Sequence, residues 1–322
     1  MNLRSCLTFI MLAGAAGVVT IDSSWDPAAV AGKPVTMDHT AARWMSALPG
    51  TLRLSQITIP GTHNSAALKE PVSGTAKCQN LSIAGQLGAG VRYFDIRCRH
   101  IRDSFAIHHG PVYQDLHFGD VLNPIYSFLA ANPNECAMIA VKEEHTPEGN
   151  TRSFVETFQS YVAANPGRWW LGTAVPTLAE ARGKIVLLRR FGGYRGGIDA
   201  THWRDNTSFD VNNLVVEDHY VVPNNDTKWG HVTAGLTAAA AETNANRLYL
   251  THSSGYKSGL FGIPSIPTVS DNINPRINSW FTNRAAGHYG CLIMDFVDAT
   301  RAGLILATNF TRQGPVPDGN GP

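Results

Sequence analysis

The chain has 322 residues, of which 43% are hydrophobic and 16% are charged, so it is neither disordered nor fibrous and has enough apolar material for one large domain. The formal net charge is only +1, which excludes the strongly basic face of a general nucleic-acid-binding protein. Any ligand must therefore be recognised by a local site.

The first twenty residues, MNLRSCLTFIMLAGAAGVVT, are typical of a secretory signal peptide. Arg4 gives the positive start, an apolar stretch follows, and small residues from Ala13 to Gly17 offer a cleavage site. The apolar stretch is shorter than the roughly 20 residues that span a bilayer. We therefore expect residues 1–20 to be removed and the mature protein to be secreted, extracellular and soluble.

The remaining chain predicts one domain. Residues 21–45 are typical of an N-terminal arm, residues 46–310 of a single barrel domain, and the Pro/Gly-rich residues 311–322 of a disordered tail. Nothing in the sequence indicates an oligomer, and we expect a monomer.

The cysteine count leaves two interpretations open. Cys6 lies in the leader, and an even number remains, which permits two disulfides of unknown pairing in an oxidising compartment. Alternatively these residues are buried thiols that behave as small hydrophobes. The remaining cysteines are Cys78, Cys98, Cys136 and Cys291.

Short strand-like runs alternate with helix-like segments along the chain. Several runs are nearly continuous in Val, Ile and Leu, as expected for parallel strands buried on both faces. The predicted strands are 54–59, 91–97, 105–109, 136–142, 184–190, 213–218, 247–252 and 291–296. The predicted helices, many of which end at Gly, Asn or Pro, are 81–90, 118–133, 151–166, 177–183, 232–246 and 273–287.

This alternation predicts an α/β fold, a single TIM-type β/α barrel rather than a doubly wound sheet. No Gly-rich phosphate-binding fingerprint follows the first predicted strand, and polar residues stand at the C-terminal ends of different strands. In a barrel these ends converge on one face, where catalytic residues lie. The polar residues are His63, Asp95, Arg97, His109, Lys142, Glu144, Arg190, Asp218 and Asp295.

Two histidines on one face can serve as general base and general acid, since imidazole titrates near neutral pH. Asp295 could orient one of them, and Arg97 could bind an anion, so the set indicates phosphoryl transfer. Structural alternatives remain open: His63 caps a turn, His109 is a satisfied core histidine, and Arg97 pairs with Asp95. Lys142 and Glu144 could likewise form a solvated strand end.

The motifs IPGTHNS, YFDIRCR…FAIHHGPVY, ARGKIVLLRR, VVEDHY and INPRINSW…CLIMDF occur in this order from about residue 50 to residue 300. Together they resemble the phosphatidylinositol-specific phospholipase C family, X-domain type, and specifically its small secreted bacterial-type members. FDIR followed by HHGP is highly specific, and GTHNS alone is moderately so.

The resemblance implies a distorted barrel acting as a phosphatidylinositol diacylglycerol-lyase, which releases diacylglycerol and inositol 1,2-cyclic phosphate. His63 then matches the general base for the inositol 2-hydroxyl, and Asp295 matches its orienting carboxylate. His109 matches the general acid for the diacylglycerol oxygen. Arg97, beside Asp95, matches the cation on the phosphate.

The same resemblance places inositol binding at Lys142, Arg190 and Asp218, with Tyr220 as a stacking platform and Glu144 beside them. A polyol ring needs several charged hydrogen-bond partners around its rim and a flat face beneath it. Such a site rejects rings with misplaced hydroxyls, because its own polar groups would be left unpaired.

Asn64 departs from the family pattern, which has aspartate here to assist the general acid. An amide would contact His109 without supplying charge. Calcium-dependent relatives have asparagine at this point as a ligand, which makes calcium the alternative cofactor. However, Arg97 and Lys142 stand where the calcium-type enzymes have acidic residues, so we expect no metal cofactor.

We expect transient contact with a membrane surface. The loop 254–264, with Tyr256, Leu260 and Phe261, follows a strand on the active-site side and is the favoured contact, because tyrosine and other aromatics suit lipid interfaces. Trp169 and Trp170 are a second candidate, although packing against the barrel explains them as well.

Three other functions remain possible at this stage. A non-catalytic inositol-lipid-binding protein would use the same barrel, although binding alone does not require both an acid and a base. A metal-dependent glycerophosphodiesterase on a similar barrel would need a histidine-arginine-glycine start and a carboxylate pair, and neither is present at His63 or at Asp95 and Arg97. A calcium-dependent phosphodiesterase would need acidic residues in place of Arg97 and Lys142.

Overall fold

The structure is a computed structural model that describes residues 40–282 and 284–310. The predicted signal peptide 1–20, the tail 311–322 and most of the arm 21–45 lie outside the described residues. No helix in the described part is long and apolar enough to cross a membrane.

The main sheet is twelve-stranded, and a short hairpin forms a second sheet. In chain order, the strands of both sheets are β1 Ile59–Thr62, β2 Tyr93–Ile101, β3 Ser104–His109, β4 Val112–His117, β5 Ala137–Glu143, β6 Trp169–Trp170, β7 Ile185–Arg190, β8 Ile198–Asp199, β9 Ser208–Val211, β10 Leu214–Glu217, β11 Leu248–His252, β12 Lys257–Ser258, β13 Pro264–Ser265 and β14 Cys291–Met294.

The α-helices lie between the parallel strands and begin with polar caps where the chain provides them, as at Ser153, Thr177, Asn224 and Asp298. They are α1 Ile83–Gly88, α2 Phe118–Ala131, α3 Phe154–Ala164, α4 Leu178–Ala181, α5 Asn225–Ala241, α6 Pro267–Thr282 and α7 Ala299–Ala307.

The strand order β6-β7-β5-β2-β1-β14-β11-β10-β9 curls the main sheet into an incomplete barrel. All neighbours along this path are parallel except β10 and β9, and the β3–β4 hairpin extends from β2. The prediction of a single, distorted TIM-type barrel is confirmed.

Alternate residues of each strand face two separate apolar layers. Tyr93, Met138 and Ile293 belong to a buried cluster inside the barrel, whereas Phe94 and Ile139 pack with the surrounding helices. Because β2 and β5 pair in register, this two-residue alternation is the same in neighbouring strands.

The first strand differs from its prediction. Residues 54–59 were expected to form it, but Leu54–Gln56 is a 3₁₀ turn and the strand runs over Ile59–Thr62. Pro60 and Gly61, which suggest a turn, lie inside the strand between β14 and β2. Glycine gives a close fit there: a Cβ at Gly61 would lie 3.0 Å from Tyr93 Cβ and 3.2 Å from Ile293, so these neighbours would have to shift to make room for it.

Three helices also differ from expectation. Helix α6 runs over Pro267–Thr282 rather than over residues 273–287. Helix α5 begins at Asn225 rather than at residue 232, because the Asn224 side chain accepts hydrogen bonds from the N–H groups of Asp226 and Thr227. Helix α7 was not predicted, although the Asp298 carboxylate caps it by accepting from the N–H of Arg301.

The cysteines do not form the two disulfides that their number permits. Cys78, Cys98, Cys136 and Cys291 are free and buried, in agreement with the alternative interpretation. The tryptophan pair also packs against the barrel: Trp169 is buried and donates its indole N–H to Tyr126 at 3.0 Å, and Trp170 packs against the interior cluster.

We expect Gly61→Ala to lower the free energy of unfolding by about 1–3 kcal/mol, because the added methyl overpacks the barrel interior. Gly230→Ala is the matched control: its Cβ meets nothing within 4 Å, and alanine favours the helix that contains it. Chemical denaturation of both variants checks this. Equal or greater stability of Gly61→Ala would contradict it.

Candidate active site

A cavity of about 450 Å³ lies at the C-terminal ends of the parallel strands. It brings together predicted site residues from distant parts of the chain: His63, Arg97, His109, Lys142, Glu144, Arg190, Asp218 and Tyr220. The convergence expected of a barrel is therefore present in the structure.

His63 directly follows β1 and is held at both ring nitrogens. Its Nδ1 lies 2.8 Å from Asp295 Oδ1, and its Nε2 lies 2.8 Å from an Arg97 Nη2. A guanidinium only donates hydrogen bonds, so Nε2 must be the acceptor and the ring proton must be on Nδ1, where it is donated to Asp295. The imidazole thus presents a basic Nε2 to the cavity.

His109 is fixed through a different partner. Its Nδ1 lies 2.6 Å from the carbonyl oxygen of Ala76, which can only accept, so Nδ1 carries a proton and Nε2 remains for the cavity. Burial and the nearby Arg97 lower the pKa of His109 to about 4. The two imidazoles are perpendicular, with centroids 6.4 Å apart.

Three cations form a row across neighbouring strands. Arg97 pairs in register with Lys142, and Lys142 pairs in register with Arg190. Like charges side by side on a sheet repel one another, so this row is favourable only with anions nearby. Asp95 and Glu144 provide part of that compensation.

Asp95 lies behind the row, 3.2 Å from Arg97 Nε and 3.6 Å from Arg190 Nη1. Burial alone would raise the pKa of Asp95, but the two arginines hold it well below its usual range. Glu144 accepts from Lys142 at 2.9 Å, and although burial opposes it, Arg97 and Lys142 lower the pKa of Glu144 to about 2. Both carboxylates are therefore charged at neutral pH.

The cavity lining contains two residues that no sequence pattern identified, Trp203 and Asp205. Arg190 stacks over the ring of Trp203 at 3.7 Å, and the Trp203 indole N–H donates to Asp218 at 2.8 Å. The Tyr220 hydroxyl donates to Asp205 at 2.7 Å. Trp203 and Asp205 line the cavity but lie in a segment without a regular strand pattern, so no periodicity identified them.

A buried ion pair anchors the segment that carries Asp218 and Tyr220. Lys228 on α5 contacts both carboxylate oxygens of Glu217, at 3.1 and 3.2 Å, and donates to the carbonyl of His219 at 2.8 Å. Lys228 and Glu217 are almost completely buried. Removing one partner of such a pair leaves an uncompensated charge, so the anchor holds the backbone of this segment firmly.

Asn64 lies behind the cavity wall and does not line it. Its backbone has a φ of 40°, which asparagine tolerates better than most residues, and its N–H donates to Asp95 at 3.1 Å. Neither polar atom of its side chain has a hydrogen-bond partner among the described residues. The expected amide contact with His109 is therefore wrong, since the partner of His109 is the Ala76 carbonyl.

A β/α barrel whose cavity contains two oriented imidazoles, a carboxylate behind one of them and a row of cations has the arrangement of an enzyme that acts on an anionic ester. The family model for "Phosphatidylinositol-specific phospholipase C, X domain" matches residues 51–191. Together with the relatives described next, this shows that the chain belongs to the phosphatidylinositol-specific phospholipase C family.

A protein of Staphylococcus aureus (strain NCTC 8325 / PS 47) named 1-phosphatidylinositol phosphodiesterase is 32% identical, over 89% of this chain and 92% of its own length. The protein of the same name from Listeria monocytogenes is 28% identical, over 86% of this chain and 88% of its own length. A solved S. aureus structure, from work on the membrane binding of its phosphatidylinositol-specific phospholipase C, has 32% identity and a TM-score of 0.73, and the match covers 83% of this chain and 97% of that one.

We expect His109 to stay neutral until the pH falls to about 4, because burial and Arg97 both disfavour the imidazolium. NMR titration of isotope-labelled imidazoles, assigned with His109→Ala, measures this pKa. Arg97→Met should raise the pKa of His109. The control is Arg99→Met, which removes an arginine of the same strand that pairs with Glu148 and should leave this pKa unchanged. A wild-type pKa at the ordinary histidine value would contradict the prediction.

Proposed function

We propose that this protein cleaves phosphatidylinositol, or a glycosylated phosphatidylinositol anchor, to diacylglycerol and inositol 1,2-cyclic phosphate. Membership of the family supports the activity, and both named relatives are phosphatidylinositol phosphodiesterases by name. One observation supports the residue roles: each cavity imidazole has its Nδ1 proton fixed by an acceptor, so that Nε2 is the nitrogen that can exchange a proton with a substrate.

In the proposed reaction, His63 Nε2 removes the proton of the inositol 2-hydroxyl as that oxygen bonds to phosphorus. The substrate hydroxyl must displace Arg97 Nη2 from Nε2, and the released guanidinium then binds the phosphate oxygens. Asp295 stabilises the imidazolium that forms. Because the nucleophile belongs to the substrate, much of the entropy of attack is already lost.

His109 Nε2 donates a proton to the glycerol oxygen as the bond from this oxygen to phosphorus breaks. The low pKa of His109 makes its imidazolium a strong acid but a rare one in the free protein. A bound phosphodiester anion favours protonation, because it places a negative charge near the ring. Substrate binding therefore prepares the acid.

We propose that the charged side chains around the cavity opening, the rim, bind the inositol ring. Lys142, Glu144, Arg190 and Asp218 offer donors and acceptors around a ring, and partly buried Tyr220 offers a flat face. Trp203 supports this rim by holding Arg190 and Asp218. Polar groups that are paired only with correctly placed hydroxyls give strong selectivity between isomeric rings.

We further propose that the reaction needs no metal ion. Arg97 occupies the position next to His63 and the phosphate where a cation is required, and Lys142 lies beside it. Asn64 offers no ligand to the cavity because it lies behind the wall. Calcium prefers six to eight oxygen ligands, which a cavity wall with a row of cations does not provide.

The proposed membrane contact is the hairpin β12–β13 at the cavity rim. The Phe261 side chain is 91% exposed and Ile263 is 51% exposed, while Tyr256, Ser258 and Pro264 of the same loop line the cavity. An exposed apolar tip next to the substrate opening suits a lipid surface. The leader-like residues 1–20 support export, and we propose residues 46–310 as the catalytic domain, acting as a monomer.

Phosphorus NMR of phosphatidylinositol digests tests the reaction. We expect a cyclic phosphate product in excess EDTA, unchanged by added calcium. His63→Ala should lose roughly 10²- to 10⁴-fold in rate, because the general base is absent. His202→Ala, an exposed histidine outside the cavity, is the control and should retain activity.

Activity that EDTA abolishes and calcium restores would refute the metal-independent mechanism. Binding of phosphatidylinositol without any turnover by the wild type would instead support the non-catalytic alternative.

Phe261→Ala should reduce affinity for phosphatidylinositol vesicles by up to roughly 10- to 100-fold, from the about 1.5–3 kcal/mol gained by burying a phenylalanine. Vesicle sedimentation measures the affinity. Cleavage of a soluble short-chain substrate should not change, because Phe261 does not line the cavity. Tyr113→Ala, at another exposed aromatic residue, is the matched control, and equal losses in both variants would contradict a specific contact.

A further inference from the structure

The thiol of Cys78 lies beside the two imidazoles and has no part in the proposed reaction. Its side chain is fully buried, and Sγ lies 3.7 Å from His109 Nδ1. One donor atom from each of His63, Cys78 and Asp295 lies within 4.8 Å of the other two. Within residues 40–282 and 284–310, this is the cluster of His, Cys, Asp or Glu side chains that is close enough to share a metal ion.

These three donors favour particular metals. An imidazole nitrogen, a thiolate and a carboxylate oxygen form a common zinc ligand set, with a fourth position open to water or substrate. Cys78 and Asp295 lie behind the cavity wall, whereas His63 lines the cavity, so the site joins the wall to the buried side of His63. Soft thiolate also binds cadmium well, whereas calcium and magnesium prefer sets made of oxygen.

We propose that His63, Cys78 and Asp295 form an inhibitory site for a thiophilic divalent cation, zinc or cadmium. The ion replaces the proton between His63 Nδ1 and Asp295. This proton moves to His63 Nε2, which then no longer accepts from Arg97, and the Cys78 thiol releases its own proton to solvent. Ligands around zinc lie more than about 3 Å apart, so the 2.8 Å contact between His63 and Asp295 must open.

Inhibition follows from the loss of this contact. With the ion on Nδ1 and a proton on Nε2, His63 has no nitrogen left to accept the proton of the inositol 2-hydroxyl, and Asp295 is no longer free to support it. The inhibitory consequence rests on the proposed function, whereas metal binding itself does not.

Cadmium titration of the metal-free protein tests the binding. We expect an ultraviolet thiolate-to-cadmium absorption band that saturates at one ion per chain in the wild type. Cys78→Ser should lack the band, and Cys98→Ser, a matched change at another buried free cysteine, should retain it. A wild type without the band, or Cys78→Ser with it, would overturn the site.

Thermal unfolding without metal establishes that the Cys78→Ser protein is folded. If it is not, Asp295→Asn replaces it in the titration and should weaken cadmium binding by at least about 10- to 100-fold, the effect of losing even an outer partner of a metal ligand. Unchanged affinity in Asp295→Asn would overturn the site.

Zinc inhibition of phosphatidylinositol cleavage tests the consequence. EDTA should reverse it, and Cys78→Ser should need at least about 10- to 100-fold more zinc than the wild type or Cys98→Ser. Equal inhibition of Cys78→Ser would overturn the proposal. If metal-free wild type shows no cleavage, the proposed function fails, and the cadmium band still decides whether the site exists.

Discussion

The cavity depends on the two-residue period of parallel strands that pair in register. Along β2, Tyr93 faces the barrel interior and Arg97, four residues later, lines the cavity, while Phe94 and Ile96 pack under the helices. The same change from apolar to charged residues occurs in β5 and β7, where Lys142 and Arg190 follow apolar interior residues. A slip of one residue would turn each cation toward the helices.

Such a row of cations needs compensating negative charge, because neighbouring like charges and burial both oppose the row. Asp95 provides this charge from behind the row: its carboxylate contacts Arg97 and Arg190 and accepts from the N–H of Asn64. This arrangement fixes the guanidiniums without filling the cavity. The wall therefore keeps its positive charge directed at a ligand, which suits a phosphodiester anion.

The sequence was sufficient for the barrel and for the residues on its strand ends. His63 and Asp295 are 232 residues apart in the sequence, yet their side chains are in contact, because β1 and β14 pair in the sheet. The features of the site that no sequence pattern predicts lie in irregular segments: Trp203, Asp205 and the carbonyl of Ala76. Their roles arise from tertiary contacts, as does the start of α5, which the Asn224 cap decides rather than periodicity.

The different partners of the two histidines divide the proposed work between them. A carboxylate supports the imidazolium of His63, so this ring can accept a proton and retain it. A neutral carbonyl holds His109, and Arg97 and burial oppose its protonation. With asparagine rather than aspartate at position 64, no carboxylate there offsets these effects. Glu144 favours protonated His109, but burial and Arg97 outweigh it and keep its pKa low. In the proposed reaction the substrate phosphate would add the further negative charge, so acid catalysis would depend on an anion being bound.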